Sequence, residues 1–246
     1  MVTMTLQAKD ELAPSSRLRA AINLGNGVLA QTDPTSGTPK GLSVDLAREL
    51  ASRLSVPIDI IPYNSAGNVF DALKSDEWDI AFLAIDAKRA AAVDFTAPHV
   101  LIEGSYVVRN ESTIKAMADV DQPGVRISLT QGSGYDLYLT RAIKQATLVR
   151  SPTGEGALEN FLKGGLEALA GVKQALVQFM KGQQGLRLVE PRFMSIEHAM
   201  ATPKGRPVGA AYLKAFVEEM KGSGFVATAL QRSGQAGAVV APPQAE

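Results

Sequence analysis

Arg89 is the residue of this sequence best placed to bind an anion. It follows the apolar run Ile80 to Ile85, which has the composition of a short strand buried in a parallel sheet. Open α/β sheets bind ligands beyond the carboxyl ends of their strands, and a guanidinium there offers paired N–H donors to a carboxylate. The sequence therefore predicts that Arg89 anchors a carboxylate, although a surface arginine in a helical turn would show the same local pattern.

A second group suited to anions lies in the turn Gly132-Ser133-Gly134, with Tyr135 after it. The turn follows the apolar run Val125 to Leu129 and opens a helical pattern. A helix N-terminus presents backbone N–H groups and the positive end of the helix dipole, and glycine lets a ligand approach the backbone closely. The alternative is an ordinary strand-to-helix turn in which Ser133 is only the helix cap.

Composition excludes several classes of function. The 25 basic residues equal the 25 acidic ones, so neither nucleic acid nor an anionic membrane is indicated as a partner. The chain has no cysteine, which excludes disulfides and thiolate chemistry. The two histidines, His99 and His198, lack the spacing of metal ligands. We expect neither a metal ion nor a cofactor.

The elements that must position these groups alternate between strand and helix. Short apolar runs predict strands and 3.6-residue periodicity predicts helices, in the order strand 17–24, helix 43–54, strand 57–63, helix 68–75 and strand 78–85. A second series begins with a strand at 125–129 and a helix from 132 to about 146. Such βαβ series indicate parallel sheets covered by helices.

Three motifs in this order carry a family resemblance. The first is the buried strand that leads through Asp86 to Lys88-Arg89 and then to Val-Asp-Phe-Thr-Ala-Pro at 93–98. The others are GLSVDLARELASRL at 41–54 and GVRISLTQGSGYDLYL at 124–139. Together they resemble the solute-binding proteins of family 3, the amino-acid receptors of ABC importers. The resemblance spans roughly residues 17 to 232.

The resemblance implies an α/β fold of the type II periplasmic-binding-protein kind. Each of two lobes would be a mostly parallel sheet flanked by helices, with two crossover strands near residues 101–109 and 189–201. We expect one lobe from residues 17–104 plus 195–233 and the other from 105–194. The remaining segments, 1–16 and 234–246, are expected to be flexible tails.

The resemblance also implies a ligand site. The family binds the α-carboxylate of its ligand at the positions of Arg89, Ser133, Gly134 and Tyr135. It uses a late aspartate in the second lobe for the ammonium group, but Val172 stands at that position here. A buried ammonium group without a carboxylate partner would cost several kcal/mol. The ligand is therefore expected to carry a carboxylate on a less polar body.

Other positions of the implied site also depart from the family. Ala84 stands in a strand where small hydroxyl residues are usual, and Asp86 replaces a threonine three residues before Arg89. Asp86 or Asn26 could supply the missing partner of an ammonium group. Asp86 could equally cap the turn that holds Arg89.

Three functions stay open at this point. The first is a monomeric binding protein that closes two lobes over a small carboxylate, an amino acid or a related organic acid. The membrane permease of an ABC importer would recognise its closed form. The second is an enzyme on this scaffold, a dehydratase of carboxylated rings, with Glu103, Glu155 or Glu167 as the acid. The third is a cytoplasmic ligand-sensing paralogue without a transporter.

The first function is preferred, because no catalytic constellation is recognisable and we assign no catalytic residue. Family 3 receptors are exported, so the resemblance implies a periplasmic location. The N-terminal stretch has neither a basic n-region nor an apolar h-region, which keeps a cytoplasmic location open.

Overall fold

The computed structural model describes residues 2–235 and 237–244, and the chain divides into two compact units. The first contains the residues up to 101 and those from 197 onward, and the second contains residues 102–196. Sequence analysis put these breaks a few residues away, at 104/105 and 194/195. Both breaks fall within long strands, so the chain passes between the units twice in extended conformation.

The first unit contains most of the βαβ series. Its elements up to the first long strand are α1 Val2–Leu12, β1 Leu18–Asn23, β2 Gln31–Thr32, β3 Pro39–Lys40, α2 Leu42–Leu54, β4 Ile58–Tyr63, α3 Ala66–Asp71, β5 Ile80–Ala84, α4 Ala87–Ala90 and the first part of β6 Val93–Arg109. A short 3-10 helix, Ala72–Ser75, follows α3.

The second unit repeats the same kind of series. Its elements are the remainder of β6, a 3-10 turn at Met117–Asp119, β7 Arg126–Thr130, α5 Gly134–Ala142, β8 Thr147–Ser151, α6 Gly154–Lys163, β9 Ala168–Val172, α7 Lys173–Met180 and the first part of β10 Leu186–Pro203. The chain then completes the first unit with the end of β10, α8 Pro207–Gly222, α9 Phe225–Arg232 and β11 Val239–Val240.

Both sheets are parallel at their centres. In the first unit the order is β4-β1-β5-β10; β4, β1 and β5 run parallel and β10 is antiparallel to β5. In the second unit β9 and β8 lie parallel to β7, and β6 is antiparallel to β9. The antiparallel partners are therefore the two long strands that the units share, as expected for this fold class.

Each unit has its own apolar core. In the first, Trp78 is fully buried and its indole N–H donates to the carbonyl of Val69 at 2.8 Å. In the second, Phe161 is fully buried, and the guanidinium of Arg109 lies over its ring at 4.7 Å from the centroid. The indole N–H of Trp78 is thus satisfied and the ring of Phe161 gains a cation–π contact, so burial of both side chains is favourable.

The prediction of a flexible N-terminal arm is wrong for Val2–Leu12, which forms helix α1. Ala8 and Leu12 are fully buried, and the carboxylate of Glu11 accepts a hydrogen bond from the backbone N–H of Gly209 at 2.7 Å. The helix therefore owes its order to contact with the start of α8. Residue 1 lies outside the described residues.

The prediction of a flexible C-terminal tail is also wrong for most of that segment. β11 pairs antiparallel with β6, Val239 opposite Leu101 and Val240 opposite Val100. The ammonium group of Lys221 then donates to the carbonyl of Pro242 at 2.9 Å. Residues 236, 245 and 246 lie outside the described residues. Among the helices that are described, none is both long and apolar enough to cross a bilayer.

Candidate functional site

Arg89 lies where the sequence predicted it, one turn beyond the carboxyl end of β5 in the first unit. Its side chain is 99% removed from solvent, and its Nη1 donates to the carbonyl of Ala84 at 2.8 Å. Burial lowers the pKa of Arg89 to about 10, and the charge of Asp86 opposes that shift. The surroundings thus stabilise this cation less well than water does. A carboxylate that binds to Arg89 would therefore form a stronger hydrogen-bonded pair than it would with an exposed arginine.

Asp86 explains why the chain turns at this place. It is the N-cap of α4, and its Oδ1 accepts the backbone N–H of Lys88 at 2.9 Å. The capping alternative from the sequence is therefore confirmed. The carboxylate is nearly buried and its charge acts on Arg89, so the cap and the anion-binding candidate form one electrostatic group. A ligand contact by Asp86 stays a prediction.

Asn26, in the loop after β1, is connected to the group of Asp86 and Arg89 through His198. The amide Nδ2 of Asn26 lies 3.4 Å from Nε2 of His198, and its Oδ1 accepts the backbone N–H of Val28 at 3.3 Å. His198 on β10 is the register partner of Ala84 on β5. The structure thus brings the predicted residues Asn26, Ala84, Asp86 and Arg89 together around a histidine.

Sequence reasoning missed His198 because it tested the histidines only as metal ligands. Both rings are buried: His99 on β6 packs edge-on against Phe82, with 6.0 Å between centroids. Burial lowers the pKa of His99 to about 3, and Lys221 adds to that shift. Burial also takes the pKa of His198 well below its usual value, helped by His99 and Arg89. Both imidazoles are therefore neutral at physiological pH.

The other predicted group, Ser133, Gly134 and Tyr135, opens α5 in the second unit. The hydroxyl of Ser133 accepts the backbone N–H of Asp136 at 3.0 Å, so the capping alternative is confirmed here as well. The Asp136 carboxylate accepts the backbone N–H of Gly132 at 2.8 Å. This helix N-terminus already holds an internal carboxylate, as helix dipoles favour.

The negative charge at this helix start is balanced from the neighbouring strand β8. Nε of Arg150 donates to the Asp136 carboxylate at 2.9 Å, and its Nη2 donates to the hydroxyl of Thr140 at 2.8 Å. Tyr135 packs against the core of this unit. Burial raises the pKa of its phenol, and hydrogen bonds with Thr130 and Ser133 oppose the shift. Ligand binding by Ser133, Gly134 and Tyr135 stays a prediction.

Val172 ends β9 opposite Gly104 of β6 and is nearly buried. The next residue, Lys173, places its ammonium group 3.2 Å from Glu103 and 3.1 Å from Glu190. A cation with two carboxylate partners thus stands beside the position where the family carries its ammonium-binding aspartate. A carboxylate introduced at Val172 would lie near this charge cluster.

Two of the acids proposed for an enzyme, Glu103 and Glu167, do not have the electrostatics of a general acid. Burial alone would raise the pKa of Glu103. Hydrogen bonds from Lys173 and Arg192 together have the larger effect, so its pKa is lowered. Hydrogen bonds from Arg126, at 2.7 and 2.9 Å, lower the pKa of Glu167. A general acid at neutral pH needs a raised pKa. Within residues 2–235 and 237–244, acidic and histidine side chains form no group of three that could hold a metal ion.

The solved structures that resemble this chain include amino-acid-binding proteins. An amino acid ABC transporter substrate-binding protein from Streptococcus pneumoniae, bound to L-arginine, superposes with a TM-score of 0.78 at 18% identity, covering 92% of this chain and 97% of that one. A putative ABC transporter binding component from Wolinella succinogenes, complexed with lysine, gives 0.75 at 24% identity, covering 88% and 95%. These likenesses establish the fold, a type II periplasmic binding protein.

Two further matches are a cyclohexadienyl dehydratase and a binding protein described as a precursor of such an enzyme. An ancestral amino-acid-binding protein, described as a precursor of cyclohexadienyl dehydratase, gives a TM-score of 0.76 at 20% identity, covering 91% of this chain and 97% of that one. The cyclohexadienyl dehydratase of Pseudomonas aeruginosa is 24% identical over 129 residues, 50% of this chain and 47% of the enzyme. The chain thus spans about half the length of the curated relative it matches.

The family model for bacterial extracellular solute-binding proteins, family 3, matches residues 29–235, which is most of the chain. The match includes the β5–α4 segment with Arg89, the start of α5 and the strands β6 and β10. With the fold and these positioned residues, it settles the family that the motifs had indicated. This chain belongs to the bacterial extracellular solute-binding proteins of family 3.

Proposed function

We propose that this solute-binding protein is the receptor of an ABC importer for a small carboxylate-bearing ligand, an amino acid or a related organic acid. The observation that carries the proposal is Arg89: a cation buried beyond the carboxyl end of β5, with a pKa lowered by burial. A carboxylate bound to it would form a charge-assisted pair shielded from water. Ser133 and Gly134, at the N-terminus of α5, are proposed as ligand-binding residues of the second unit.

The ligand's nitrogen chemistry is proposed from the residues near Arg89. Relatives of this fold bind lysine and arginine, whereas Val172 replaces the expected ammonium partner. Asp86 and Asn26 are the polar side chains of the first unit that could take that role. We propose a ligand whose carboxylate is recognised strongly and whose α-ammonium group is recognised weakly.

The partner and the compartment are proposed from the family. Its members are extracellular by description, and we propose that this protein works in the periplasm as a monomer. We further propose that a membrane permease distinguishes the ligand-bound protein from the ligand-free one.

A ligand-dependent melting screen tests the proposal. The protein is heated with each member of a panel of amino acids and organic acids, with the corresponding amines and amides as controls. A ligand at 100 times its Kd stabilises the folded state by about 2.7 kcal/mol. We expect carboxylates to raise the Tm and their amides to leave it unchanged. Equal effects of amides and carboxylates on the Tm would contradict the proposal.

The second candidate is a dehydratase, favoured by the similarity to the Pseudomonas aeruginosa enzyme and to an ancestor of such enzymes. Hydrogen bonds lower the pKa of Glu103 and of Glu167, so neither has the raised pKa that a general acid needs. Glu155 is exposed in the first turn of α6. Incubation with prephenate-like ring acids, followed by detection of the aromatic product, separates this candidate from the receptor.

A further inference from the structure

We infer that His198 is a positioning residue for the ligand site in the first unit: as a neutral ring protonated at Nδ1, it accepts a hydrogen bond from the Asn26 amide and so fixes the loop after β1 beside Arg89. The inference rests on the proposed function for its consequence on binding. Its structural part, the tautomer and the fixed loop, can be measured without any ligand.

The tautomer follows from the orientation of the Asn26 amide. Its Oδ1 accepts the backbone N–H of Val28 at 3.3 Å, so the other end of the amide, Nδ2, is the one that faces His198 at 3.4 Å. An amide nitrogen only donates. Nε2 of His198 must therefore carry the lone pair, and the proton of the neutral ring must lie on Nδ1.

The other ring nitrogen of His198, Nδ1, indicates that this histidine does more than pack in the core. His198 is 95% buried, and its Nδ1 has no hydrogen-bond partner among the described residues. A buried donor without an acceptor is costly. A histidine that served only packing would be replaced by an apolar residue at lower cost, whereas a ligand oxygen or an ordered water would satisfy this donor.

The ring also couples the loop to the Arg89 group. The carbonyl of Asn26 accepts the backbone N–H groups of Leu29 and Ala30, at 3.0 and 3.1 Å, so the side chain and the backbone of Asn26 organise the same turn. On its other side, His198 pairs in register with Ala84, whose carbonyl accepts from Arg89. One imidazole thus links the loop after β1 with the end of β5, where the carbonyl of Ala84 accepts from the anion anchor Arg89.

A neutral imidazole at this place has a consequence for specificity. A cationic ring would turn Nε2–H toward the amide N–H2 of Asn26 and would add a second positive charge beside Arg89. The neutral tautomer leaves Arg89 as the cation of this group, beside the Asp86 carboxylate. We therefore expect the ligand's carboxylate to pair with Arg89 and not with His198.

The first experiment reads the tautomer directly. The whole chain is labelled with ¹⁵N-histidine, and long-range ¹⁵N–¹H spectra are recorded at pH 7, where protonated and unprotonated ring nitrogens have well-separated shifts. Because the chain has two histidines, a His99→Gln variant assigns both. We expect His198 to be protonated at Nδ1. A ring protonated at Nε2, or at both nitrogens, would overturn the inference.

Matched variants then test the link to the loop. In Asn26→Asp a carboxylate replaces the donor, so the His198 proton should move to Nε2. His198→Gln places an amide oxygen near the position of Nε2 and should preserve the bond, whereas the shorter His198→Asn should lose it. We expect amide exchange at Leu29 and Ala30 to speed up about tenfold in His198→Asn and to stay near wild type in His198→Gln.

Ligand binding is measured last, by calorimetry with L-arginine, L-glutamate and benzoate as probes. His198→Asn should weaken the binding of any probe by about tenfold or more, and His198→Gln by no more than about threefold. If a probe binds wild type and both variants equally, the inference fails and the proposed function stands. If no probe binds wild type, the proposed function fails for these ligands, and the tautomer and exchange data alone decide the inference.

Discussion

The carboxylate of Asp79 accepts a hydrogen bond from Nη1 of Arg206 at 2.9 Å, across a separation of 127 residues. Asp79 is fully buried at the start of β5, and it also accepts from the backbone N–H and the guanidinium of Arg19, at 2.9 to 3.0 Å. The same carboxylate thus ties β1, β5 and the entry to α8 together, at the end of β5 that lies away from Arg89.

Replacing Asp79 by Asn should therefore destabilise the first unit. The change keeps the volume but removes the buried anion of two partly buried guanidinium groups, which keep only the exposed carboxylate of Asp76. Breaking a buried pair in this way typically costs about 3–5 kcal/mol. Urea unfolding should show a large fall in the midpoint. Asp71→Asn is the matched control, since Asp71 pairs with Lys74 on the exposed surface and its loss should leave the midpoint nearly unchanged. Equal effects of the two variants would contradict the assignment.

Replacing Arg89 by Ala should weaken ligand binding by about two orders of magnitude or more, since truncating a shielded charge pair costs roughly 2–5 kcal/mol. Calorimetry with the ligand found in the melting screen measures this. Lys88→Ala, one residue earlier and exposed, is the control and should bind like wild type. Arg89→Lys keeps the charge but not the paired donors, and should bind with intermediate affinity.

A stable Arg89→Ala protein that binds as tightly as wild type would remove the carboxylate anchor from the proposed site. Loss of folding in this variant would be visible as an altered Tm, and the Arg89→Lys protein would then supply the comparison.

Replacing Val172 by Asp should shift preference toward amino acids. Val172 is also the N-cap residue of α7 and makes no side-chain cap hydrogen bond, so aspartate there should be tolerated by the helix. We expect tighter binding of an α-amino acid, by about tenfold, and weaker binding of the acid that lacks the amino group. Val172→Asn, a neutral cap, separates charge from capping. If the Asp and Asn variants bind these ligands with the same affinities, the side chain at position 172 does not recognise the ligand's charge.

Stability should fall as the pH drops below about 6.5, because His99 and His198 are held neutral in the folded state. The pKa of His99 is lowered to about 3 by burial and Lys221, and that of His198 is well below its usual value. The unfolded chain binds the protons more readily, so the free energy of unfolding falls by up to roughly 1.4 kcal/mol per pH unit for each histidine.

Urea unfolding at several values between pH 7 and pH 5 measures this slope, above the range in which most carboxylates titrate. The His99→Leu/His198→Gln double variant should have a much flatter profile. A wild-type profile that is flat over this range would show that the rings take up protons without cost, and would contradict their buried, neutral state.

The β5–α4 segment could be predicted because its signals are local. An apolar run, a capping aspartate and a short stretch of helix formers specify a buried strand followed by one helical turn, and Arg89 comes at the end of that pattern. The burial of Trp78, Phe82 and Phe161 follows in the same way from their place in apolar runs.

The contacts that complete the group could not be predicted, because they join distant parts of the chain. Asn26 and His198 are 172 residues apart, and the strand pattern around His198 does not show which neighbour it will meet. Helix α1 was missed for a related reason: its buried face is recognisable only with α8 in place. Tertiary contact, and not propensity, orders such a segment.

The start of α2 shows a smaller error of the same kind. The sequence predicted a helix that begins at residue 43, but α2 begins at Leu42 and Gly41 is its N-cap, with φ of +116°. A side chain at Gly41 would come within 2.8 Å of the carbonyl of Leu29. The close passage of the preceding loop therefore selects glycine and moves the helix start, which the sequence pattern alone does not reveal.

The short strand β11 bears on the tendency of this protein to self-associate. It occupies backbone of β6 that would otherwise present unpaired N–H and C=O groups to any extended chain. Pro242 and Pro243 follow after Ala241 and lack the donors needed to prolong such a ladder. A chain shortened after residue 235 should therefore self-associate more readily than the full chain.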